Sequence, residues 1–435
     1  MVKNLILGAG LAGLSAAYHL TEEGCEDWRI LEKSERAGGL CRSIKYNDGF
    51  VFDHSIHILY SSDPYASGLI KRLLGGNMLV QKRESWVYSN GVYIPYPWQA
   101  NTYGLPVEVV KECIMGVIGA TYNKSGKSDP TNFEQWCHAT FGEGLTRHFM
   151  IPYNRKLWAV DLKKMTDVWI RDRVMTPSLN EVIEGALQRS EKDYGPNAVF
   201  WYPGKGGIEA LPRGFLSYLQ QDNISFNTET TRIFWKEKRV DAKGGSKWNY
   251  DRLISSLPLP VIAGQMEPGL PPALKEAAGR LEYNLVYAIN IAVKREELTP
   301  YHWIYYPEEQ YLFHRISFPK NFSRDLAPDG WSSMTVEVSA SNYRQIPVGD
   351  EFINKIIADL KDTGIVSEDD TIEVKSVLTL SPAYIIYNHT HRNDVDSLRQ
   401  FLTENDIHTC GRFGEWEYLN MDHSILSGKK AGQGG

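Results

Sequence analysis

The sequence predicts an α/β fold: a Rossmann-type dinucleotide-binding domain with an inserted helical domain and an antiparallel sheet domain. Three observations support this prediction. Residues 3–32 contain a strand, a glycine-rich turn, a helix and a second strand in the order that dinucleotide-binding units need. Several segments within 106–188 have helical apolar spacing, and segments within 285–380 alternate as antiparallel strands do.

The N-terminal segment is the first of these elements. Residues 3–7 read as a buried strand, GAGLAG follows at 8–13, and helical spacing covers 14–20. A second strand at 28–31 ends at Glu32. A GxGxxG run alone is weak evidence for a nucleotide site. Strand, glycines, helix, strand and acid in this order are strong evidence, and they predict a bound dinucleotide.

The residues of this turn have distinct physical roles. Gly8 permits a tight turn, Gly10 lets the backbone approach a pyrophosphate, and Gly13 lets the helix pack closely on the strand. The free amides at the helix N-terminus then face the phosphates. Glu32 stands where its carboxylate can accept hydrogen bonds from ribose hydroxyls.

The remaining elements divide the chain into interleaved domains. A hairpin is predicted around Asn90-Gly91. Helical spacing recurs at 106–121, 133–141, 144–150, 178–188 and 352–363. Strand patterns recur at 224–240, 250–258, 285–293, 301–306, 311–318, 334–339 and 372–380. We therefore expect a dinucleotide-binding domain at 1–60, 200–265 and 395–435, a mainly helical substrate domain at 61–199, and an antiparallel sheet domain at 266–394.

Composition and charge exclude several classes of function. The 435 residues are 42% hydrophobic and 23% charged, which fits a globular chain rather than a disordered or fibrous one. The net charge of −6 indicates no nucleic-acid partner, and the apolar runs are too short for a membrane span. The five scattered cysteines form no CxxC pair, so we expect a cytoplasmic protein with reduced thiols. His54 and His57 are too few ligands for a metal, so no metal is expected.

The residues after Glu32 favour FAD over NAD. The glycine pair in KSERAGGLCRS, at 33–43, would let a second loop approach the dinucleotide. This run resembles the FAD-dependent amine oxidase and protoporphyrinogen oxidase superfamily. YPGKGG at 202–207 lacks the GK[ST] of a phosphate-binding loop, so we expect a backbone turn near the flavin rather than a second nucleotide site.

Three further segments resemble the UDP-galactopyranose mutases, above all those of eukaryotes. GRFGEWEYLNMDHS at 411–424 resembles their last FAD-binding motif, and we expect Asp422 to cap a final helix at 424–431. FMIPYNRKLWAV at 149–160 and YIPYPWQ at 93–99 resemble their segments beside the substrate and the uridine. The resemblance implies FAD contacts from Gly8, Gly10, Leu11, Ala12, Gly13, Glu32, Lys33, Gly38, Gly39, Leu40, Ile233, Gly411, Arg412, Asn420, Met421, Asp422 and Ser424.

The resemblance also assigns residues to the substrate. Arg173 and Arg315 match the two arginines that grip its pyrophosphate, where a rigid guanidinium fork suits phosphate oxygens. His57 matches a histidine beside the flavin, in a Ser55-Ile56-His57 segment where the family has Gly-Gly-His. The other implied contacts to the nucleotide, sugar and diphosphate are Tyr96, Trp98, Gln99, Asn154, Trp158, Asn197, Tyr305, Tyr387 and Tyr418.

The resemblance implies a flavin-dependent mutase that interconverts the pyranose and furanose forms of a UDP-sugar, with UDP-galactose first in order. In that reaction reduced FAD attacks the anomeric carbon through N5, so no protein nucleophile is required. NAD(P)H is the expected reductant. Two alternatives stay open. One is an FAD-dependent oxidase, desaturase or lyase acting on an amine-bearing, ring or nucleoside substrate, and the other is a flavoprotein that only binds a nucleotide sugar.

Overall fold

The structure is a computed structural model that describes residues 2–122, 129–170, 173–190, 192–195 and 197–434. In chain order, its strands are β1 (Val2–Leu7), β2 (Trp28–Leu31), β3 (Ser43–Lys45), β4 (Val51–Asp53), β5 (Leu79–Lys82), β6 (Ser85–Ser89), β7 (Val92–Pro95), β8 (Val199–Tyr202), β9 (Ile224–Ser225), β10 (Thr230–Phe234), β11 (Arg239–Ala242), β12 (Lys247–Ser255), β13 (Met266–Glu267), β14 (Glu282–Tyr283), β15 (Leu285–Val293), β16 (Trp303–Tyr305), β17 (Arg315–Ser317), β18 (Ser332–Ala340), β19 (Ile372–Leu380), β20 (Ile385–Ile386) and β21 (Ile407–Thr409).

The α-helices surround two large sheets. They are α1 (Leu11–Glu22), α2 (Pro64–Leu74), α3 (Val107–Tyr122), α4 (Phe133–Leu145), α5 (Ile151–Trp158), α6 (Leu179–Leu187), α7 (Ala210–Leu216), α8 (Leu259–Gln265), α9 (Pro272–Gly279), α10 (Pro319–Phe322), α11 (Asp350–Asp362), α12 (His391–Glu404), α13 (Gly411–Gly414) and α14 (Met421–Gly432). The predicted α/β fold is confirmed.

The first sheet holds the glycine-rich turn. Its strand order is β13-β10-β11-β12-β1-β2-β9, and β21 also pairs with β12. Strand β1 runs parallel to β2 and β12, with Leu7 opposite both Leu31 and Ser255. Residues 4–7 of β1 are all buried, as expected of a parallel strand that is covered on both faces. The carboxyl ends of these parallel strands share one edge of the sheet, which is where such sheets bind ligands.

Helices α1 and α14 pack side by side, although they lie near opposite ends of the chain. The Ser15 hydroxyl in α1 donates to the Ile425 carbonyl oxygen in α14 at 2.6 Å. Leu14 and Ala17 share a hydrophobic core with Ile425 and Ala431. This packing brings the N-terminal and C-terminal motifs to the same place.

The second sheet has the strand order β19-β15-β18-β17-β16-β6-β7. Strands β15 and β18 pair antiparallel from Leu285 opposite Ala340 to Val293 opposite Ser332. The predicted helix across this sheet is α11, which packs in the same core. The predicted hairpin is confirmed as β6 and β7. It joins this sheet through β16, although its residues fall in the range expected to be mainly helical. Its alternating aromatic side chains suit a sheet better than a helix.

Helices α3 to α6 form the helical part of the chain, with Phe133, Phe149 and Trp158 in their core. The predicted helical segment at 144–150 is helical, but it is not a separate helix. Helix α4 runs to Leu145, a π-helical turn covers Thr146–Met150, and α5 follows at once. Gly142 has φ +69°, which bends the chain just before this turn. Among the described residues, no helix combines the length and the apolar character that crossing a bilayer requires.

Candidate active site

The glycine-rich turn lies between β1 and α1. A Cβ atom on Gly13 would lie 2.0 Å from the Gly8 carbonyl oxygen, so no larger residue fits there. The two oxygens of Glu32 accept the backbone amides of Ala9 and Ser34, each at 2.8 Å. The buried Glu32 carboxylate therefore fixes the turn, and its remaining lone pairs are the ones that ribose hydroxyls could use.

The turn fits the pyrophosphate of a dinucleotide. Outside the local chain, the nearest described atom to a Cβ placed on Gly10 would be the Gly39 Cα, at 4.0 Å. The Gly10 backbone is therefore open to a ligand. Helix α1 begins at Leu11, and no side chain among the described residues caps its first amides. Because these amides are free to bind phosphate, residues 10–13 would hold the diphosphate of FAD.

The other predicted cofactor residues occupy different environments. Gly38 forms a β-bridge with Gly10, which brings the second glycine pair beside the first turn. Lys33 is exposed and Leu40 is half-buried. Ile233 is fully buried in β10, opposite Val240 and Met266 on the neighbouring strands.

The C-terminal motif reaches the same turn. A Cβ on Gly411 would lie 2.7 Å from the Ala12 Cβ, so the two segments are in direct contact. The Arg412 Nε donates to the Leu419 carbonyl oxygen at 2.7 Å and thereby braces the loop before α14. Met421 and Ser424 lie in the first turn of α14 and are half-buried.

The prediction that Asp422 caps a helix starting at 424 is wrong. Helix α14 starts at Met421 because Asn420 has the extended backbone of an N-cap residue, and the Asn420 side-chain amide donates to the Tyr60 hydroxyl at 2.8 Å. Asp422 is the second helical residue, where the helix dipole favours an acid. Its buried Oδ1 accepts no hydrogen bond within the described ranges, although His423 Nδ1 lies 3.3 Å away.

Three arginines surround two stacked tyrosines, and we call this group the arginine–tyrosine cluster. The rings of Tyr384 and Tyr418 lie 5.9 Å apart and 10° from parallel. The guanidinium carbons of Arg173 and Arg412 lie 5.3 Å and 4.9 Å from the Tyr418 ring centre. The Arg315 Nη2 lies 3.4 Å from the Tyr384 hydroxyl. The structure thus brings both predicted arginines to one locally positive cluster within an acidic chain.

Arg173 is exposed but firmly positioned. Its Nη1 donates to the Trp169 carbonyl oxygen at 2.7 Å, and its Nη2 donates to the Tyr418 carbonyl oxygen at 2.6 Å. The second of these bonds connects the helical part of the chain to the C-terminal motif. Arg173 therefore bridges two segments that lie far apart in sequence.

Arg315 has an acidic partner that the sequence did not reveal. On the neighbouring strands β17 and β18, Arg315 stands opposite Glu337, and its Nε donates to Oε2 of that carboxylate at 2.8 Å. Glu337 is only 1% exposed. Burial alone would raise the pKa of Glu337, but the Arg315 guanidinium and the His314 ring outweigh it and hold that pKa well below its usual value. The pair is therefore ionised.

The loop that contains His57 is attached to the same carboxylate. Ser55 Oγ and the Ile56 amide, the latter at 3.2 Å, both donate to Glu337 Oε1. The His57 Nδ1 lies 3.0 Å from the Ser55 carbonyl oxygen, which can only accept, so Nδ1 carries the proton and Nε2 is free to accept. Burial, together with the nearby Arg412 and Arg315, lowers the pKa of His57 to about 4, so the ring is neutral at neutral pH.

A second aromatic group surrounds the residues predicted to bind uridine. The Tyr96 ring lies 5.3 Å from that of Tyr305, and the Arg83 guanidinium carbon lies 5.1 Å from the Tyr96 ring centre. The Arg83 Nη1 also donates to Asn197 Oδ1. Gln99 donates to a backbone carbonyl at 2.8 Å, while its buried Oε1 lacks a donor within the described ranges. Tyr96, Tyr305, Asn197 and Gln99 therefore lie along connected segments.

Four predicted substrate residues are deeply buried. Trp98 is 0% exposed and stacks on Phe149 at 5.3 Å, so its ring offers no surface to a ligand in this structure. Asn154 Oδ1 accepts from the Trp158 indole at 3.2 Å, and Trp158 packs against the edge of Tyr384. Tyr387 accepts the Tyr418 amide at 2.6 Å. In this structure Asn154, Trp158 and Tyr387 position the tyrosine pair from behind.

Sequence reasoning missed Tyr384, Glu337, Tyr60 and Arg83. The available signal for Glu337 was an acid in the otherwise uncharged strand SSMTVEVSA. For Tyr384 the signal was its position three residues before the selected Tyr387. The turn at 202–207 lies beside Asp53, whose side chain accepts the Tyr202 hydroxyl and the Ile208 amide. Within the described ranges, no three His, Cys, Asp or Glu side chains converge as metal ligands.

Comparison with known proteins agrees with this geometry. A family model described as flavin containing amine oxidoreductase matches residues 11–433. The crystal structure of a reduced UDP-galactopyranose mutase superposes with a TM-score of 0.94 at 30% identity, covering 100% of this chain and 93% of that chain. A putrescine oxidase with bound putrescine superposes with a TM-score of 0.68 at 16% identity, covering 100% of this chain and 98% of that chain. That second likeness concerns the fold alone.

A curated relative by sequence is protoporphyrinogen oxidase 2 of Arabidopsis thaliana, 22% identical over 302 residues. The match covers 58% of this chain and 57% of the oxidase, so this chain spans little more than half the length of that relative. The structural likenesses to the mutase and to the putrescine oxidase extend along the whole chain, whereas the sequence match to the Arabidopsis oxidase is partial.

Proposed function

The chain belongs to the flavin containing amine oxidoreductase family, and on that premise we propose that it is an FAD-dependent mutase acting on a UDP-sugar. It would interconvert the pyranose and furanose forms, with UDP-galactose as the first substrate to test. The observation that carries the proposal is the arginine–tyrosine cluster, which brings together Arg173 and Arg315, the two arginines that the mutase resemblance assigns to a diphosphate. The full-length likeness to a reduced mutase supports the same conclusion.

In this proposal Arg315 and Arg173 bind the substrate diphosphate. Their guanidinium groups are attached to different segments, Arg315 on β17 and Arg173 after the helical part of the chain. The diphosphate would bring about two negative charges into a site that is partly shielded from solvent, and burying them unpaired would be costly. Tyr96 would stack on the uracil, and Gln99 would meet its amide edge with the unpartnered Oε1.

Bound and reduced, FAD supplies a nucleophile at its isoalloxazine ring. The protein would contribute orientation and electrostatics. His57 is neutral and presents Nε2 as an acceptor, so it can accept a hydrogen bond from a sugar hydroxyl without carrying a positive charge. Burial raises the pKa of Tyr384 to about 12, so its hydroxyl stays protonated well above neutral pH and can donate to a phosphate oxygen.

We further propose that NAD(P)H is the physiological reductant and that the protein works in the cytoplasm. The five cysteines are all free thiols, which supports a reducing compartment. The mutase reaction needs the flavin to be reduced once, but it does not depend on which reductant does so or on the compartment.

The test is an anaerobic incubation of the dithionite-reduced, FAD-loaded protein with UDP-galactopyranose and UDP-galactofuranose, followed by chromatographic analysis of the products. We expect interconversion in the reduced protein and none in the oxidised protein. Failure to convert any member of a panel of nucleotide sugars would overturn the proposal.

An oxidase is the second candidate, because the Arabidopsis relative is named as one. If this chain is an oxidase, it would consume one molecule of oxidant for each product molecule formed. Oxygen uptake with a porphyrinogen or an amine as the substrate would favour it. Tight UDP binding without any turnover would favour a binding protein.

A further inference from the structure

We propose that Glu337 is a positioning residue that orients Arg315 toward an anionic substrate group and fastens the 55–57 loop to the same carboxylate. The inference rests on the proposed function, because it takes that anion to be the diphosphate of a UDP-sugar. It goes further in assigning a role to Glu337 and Ser55, which do not themselves contact the substrate.

The two oxygens of Glu337 serve different partners. Oε2 accepts from Arg315 Nε at 2.8 Å and also pairs with Nη2. Oε1 accepts from the Ser55 hydroxyl and from the Ile56 amide. Because the loop and the arginine bond to one carboxylate that is 1% exposed, Glu337 would couple their positions.

This arrangement leaves one edge of Arg315 for a ligand. Nε and Nη2 face Glu337, and Nη2 also approaches the Tyr384 hydroxyl. Nη1 makes no hydrogen bond within the described ranges, while the side chain as a whole is 14% exposed. Glu337 therefore selects the orientation in which Nη1 stays available for a phosphate oxygen.

Ser55 occupies a conformation that favours glycine. Its φ is +125°, a region that residues with a Cβ adopt only when their surroundings hold them there. The family motif has glycine at this position, whereas this chain has a serine whose hydroxyl bonds to Glu337. The serine thus adds an attachment that a glycine could not provide.

The experiment compares Ser55→Ala, Glu337→Gln and the double variant, each loaded with FAD. The measurements are UDP affinity by calorimetry, FAD content and melting temperature. A glutamine offers one oxygen, so it cannot accept from Arg315 and from the Ile56 amide together. We expect Glu337→Gln to weaken UDP binding about tenfold and Ser55→Ala about threefold. FAD content should not change, and the double variant should be no weaker than Glu337→Gln alone.

Thr335→Val is the matched control. Thr335 lies on the same face of β18, and its buried hydroxyl donates to Asn290 Oδ1 at 2.9 Å without touching Arg315. This variant should lose thermal stability and keep wild-type UDP affinity. If Glu337 only supported the fold, Glu337→Gln would behave in the same way.

Two results would overturn the inference while the proposed function stands. One is a Glu337→Gln variant that binds UDP as tightly as the wild type or more tightly. Tighter binding is expected if the Glu337 carboxylate only competes with the diphosphate for Arg315. The other is a double variant whose losses are the sum of the single ones. A wild-type protein that binds no UDP would instead overturn the proposed function and the anion half of this inference. In that case, a double variant whose loss of melting temperature equals the sum of the losses in Ser55→Ala and Glu337→Gln would also reject the attachment of the 55–57 loop to Glu337.

Discussion

Arg315 and Glu337 face each other across strands β17 and β18, and the guanidinium and the carboxylate form a buried ion pair with Nε 2.8 Å from Oε2. Removing one member of such a pair leaves the other charged and buried. An alanine at position 315 would therefore damage the fold as well as the diphosphate site. Lysine, which keeps the charge and loses the planar fork, is the more informative substitution.

We predict that Arg315→Lys keeps its FAD and binds UDP roughly tenfold more weakly than the wild type, because a lysine cannot pair with Glu337 and a phosphate in the same geometry. Arg315→Ala should lose about 3–5 kcal/mol of folding free energy. Calorimetry with UDP and urea denaturation measure the two effects. Equal UDP affinity in wild type and Arg315→Lys would remove Arg315 from the site.

Arg173→Ala should separate substrate binding from stability. Arg173 is exposed, so the loss of its two bonds to backbone carbonyls should lower the unfolding free energy by about 1 kcal/mol or less, while UDP affinity falls by roughly 30-fold, about 2 kcal/mol. FAD content should stay at the wild-type level. Arg189→Ala is a suitable control, because Arg189 lies over Trp86 instead of the tyrosine pair. Wild-type UDP affinity in Arg173→Ala would contradict the diphosphate assignment.

Alanine substitutions at Gly13 and Gly10 in the first turn should have different effects. A Cβ on Gly13 would meet the Gly8 oxygen at 2.0 Å, so Gly13→Ala should fail to fold properly. Apart from its own chain neighbours, a Cβ on Gly10 meets no described atom closer than the Gly39 Cα at 4.0 Å, so Gly10→Ala should fold and yet lose FAD. Circular dichroism and flavin absorbance distinguish the outcomes. A yellow Gly10→Ala protein would show that the pyrophosphate binds elsewhere.

Tyr384→Phe tests the hydroxyl near Arg315. The ring stack on Tyr418 should persist, while the hydroxyl that accepts from Arg315 Nη2 at 3.4 Å is lost. We expect kcat/KM for the mutase reaction to fall about three- to tenfold, as for one hydrogen bond, with FAD content unchanged. Tyr103→Phe, at an exposed tyrosine, is the control. Full activity in Tyr384→Phe would show that the Tyr384 hydroxyl has no role in the reaction and that only its ring contributes.

Acid should destabilise the protein between pH 6.5 and about 4. Burial lowers the pKa of His302 from 6.5 to about 4, and its Nδ1 accepts the Glu84 amide at 3.0 Å. The unfolded chain binds a proton below pH 6.5 that the folded chain does not bind until about pH 4. Stability is therefore lost as the pH falls. From pH 7 to pH 5 this histidine should contribute about 2 kcal/mol of that loss.

His302→Asn isolates this contribution, because an asparagine oxygen can still accept the Glu84 amide. The slope of unfolding free energy against pH should become shallower in this variant. An unchanged slope in His302→Asn would show that His302 is not buried as a neutral ring.

The sequence predicted the parts of the molecule that depend on local spacing. The βαβ unit at 3–32 was predictable because its glycines are required by contacts within one turn, such as Gly13 on Gly8. The helix at Leu179–Leu187 was predictable for the same kind of reason, since Ser178 and Glu181 form a local capping box. Such signals need no knowledge of distant segments.

The missed residues depend on pairings between distant segments. Glu337 acquires its role only because β18 lies between β15 and β17, which places it opposite Arg315. Tyr384 and Tyr387 are three residues apart, and spacing alone cannot say which one stacks on Tyr418. The loop at 55–57 becomes part of the site through its bonds to the same distant glutamate.

The electron balance of the reaction tests the central claim most directly. The FAD-loaded protein is reduced once with a stoichiometric amount of dithionite under argon, and product is then counted per flavin from UDP-galactofuranose. The mutase account predicts many turnovers from that single reduction, with no further reductant or oxygen consumed. One product molecule per reducing or oxidising equivalent, or product formed only while oxygen is consumed, would contradict it.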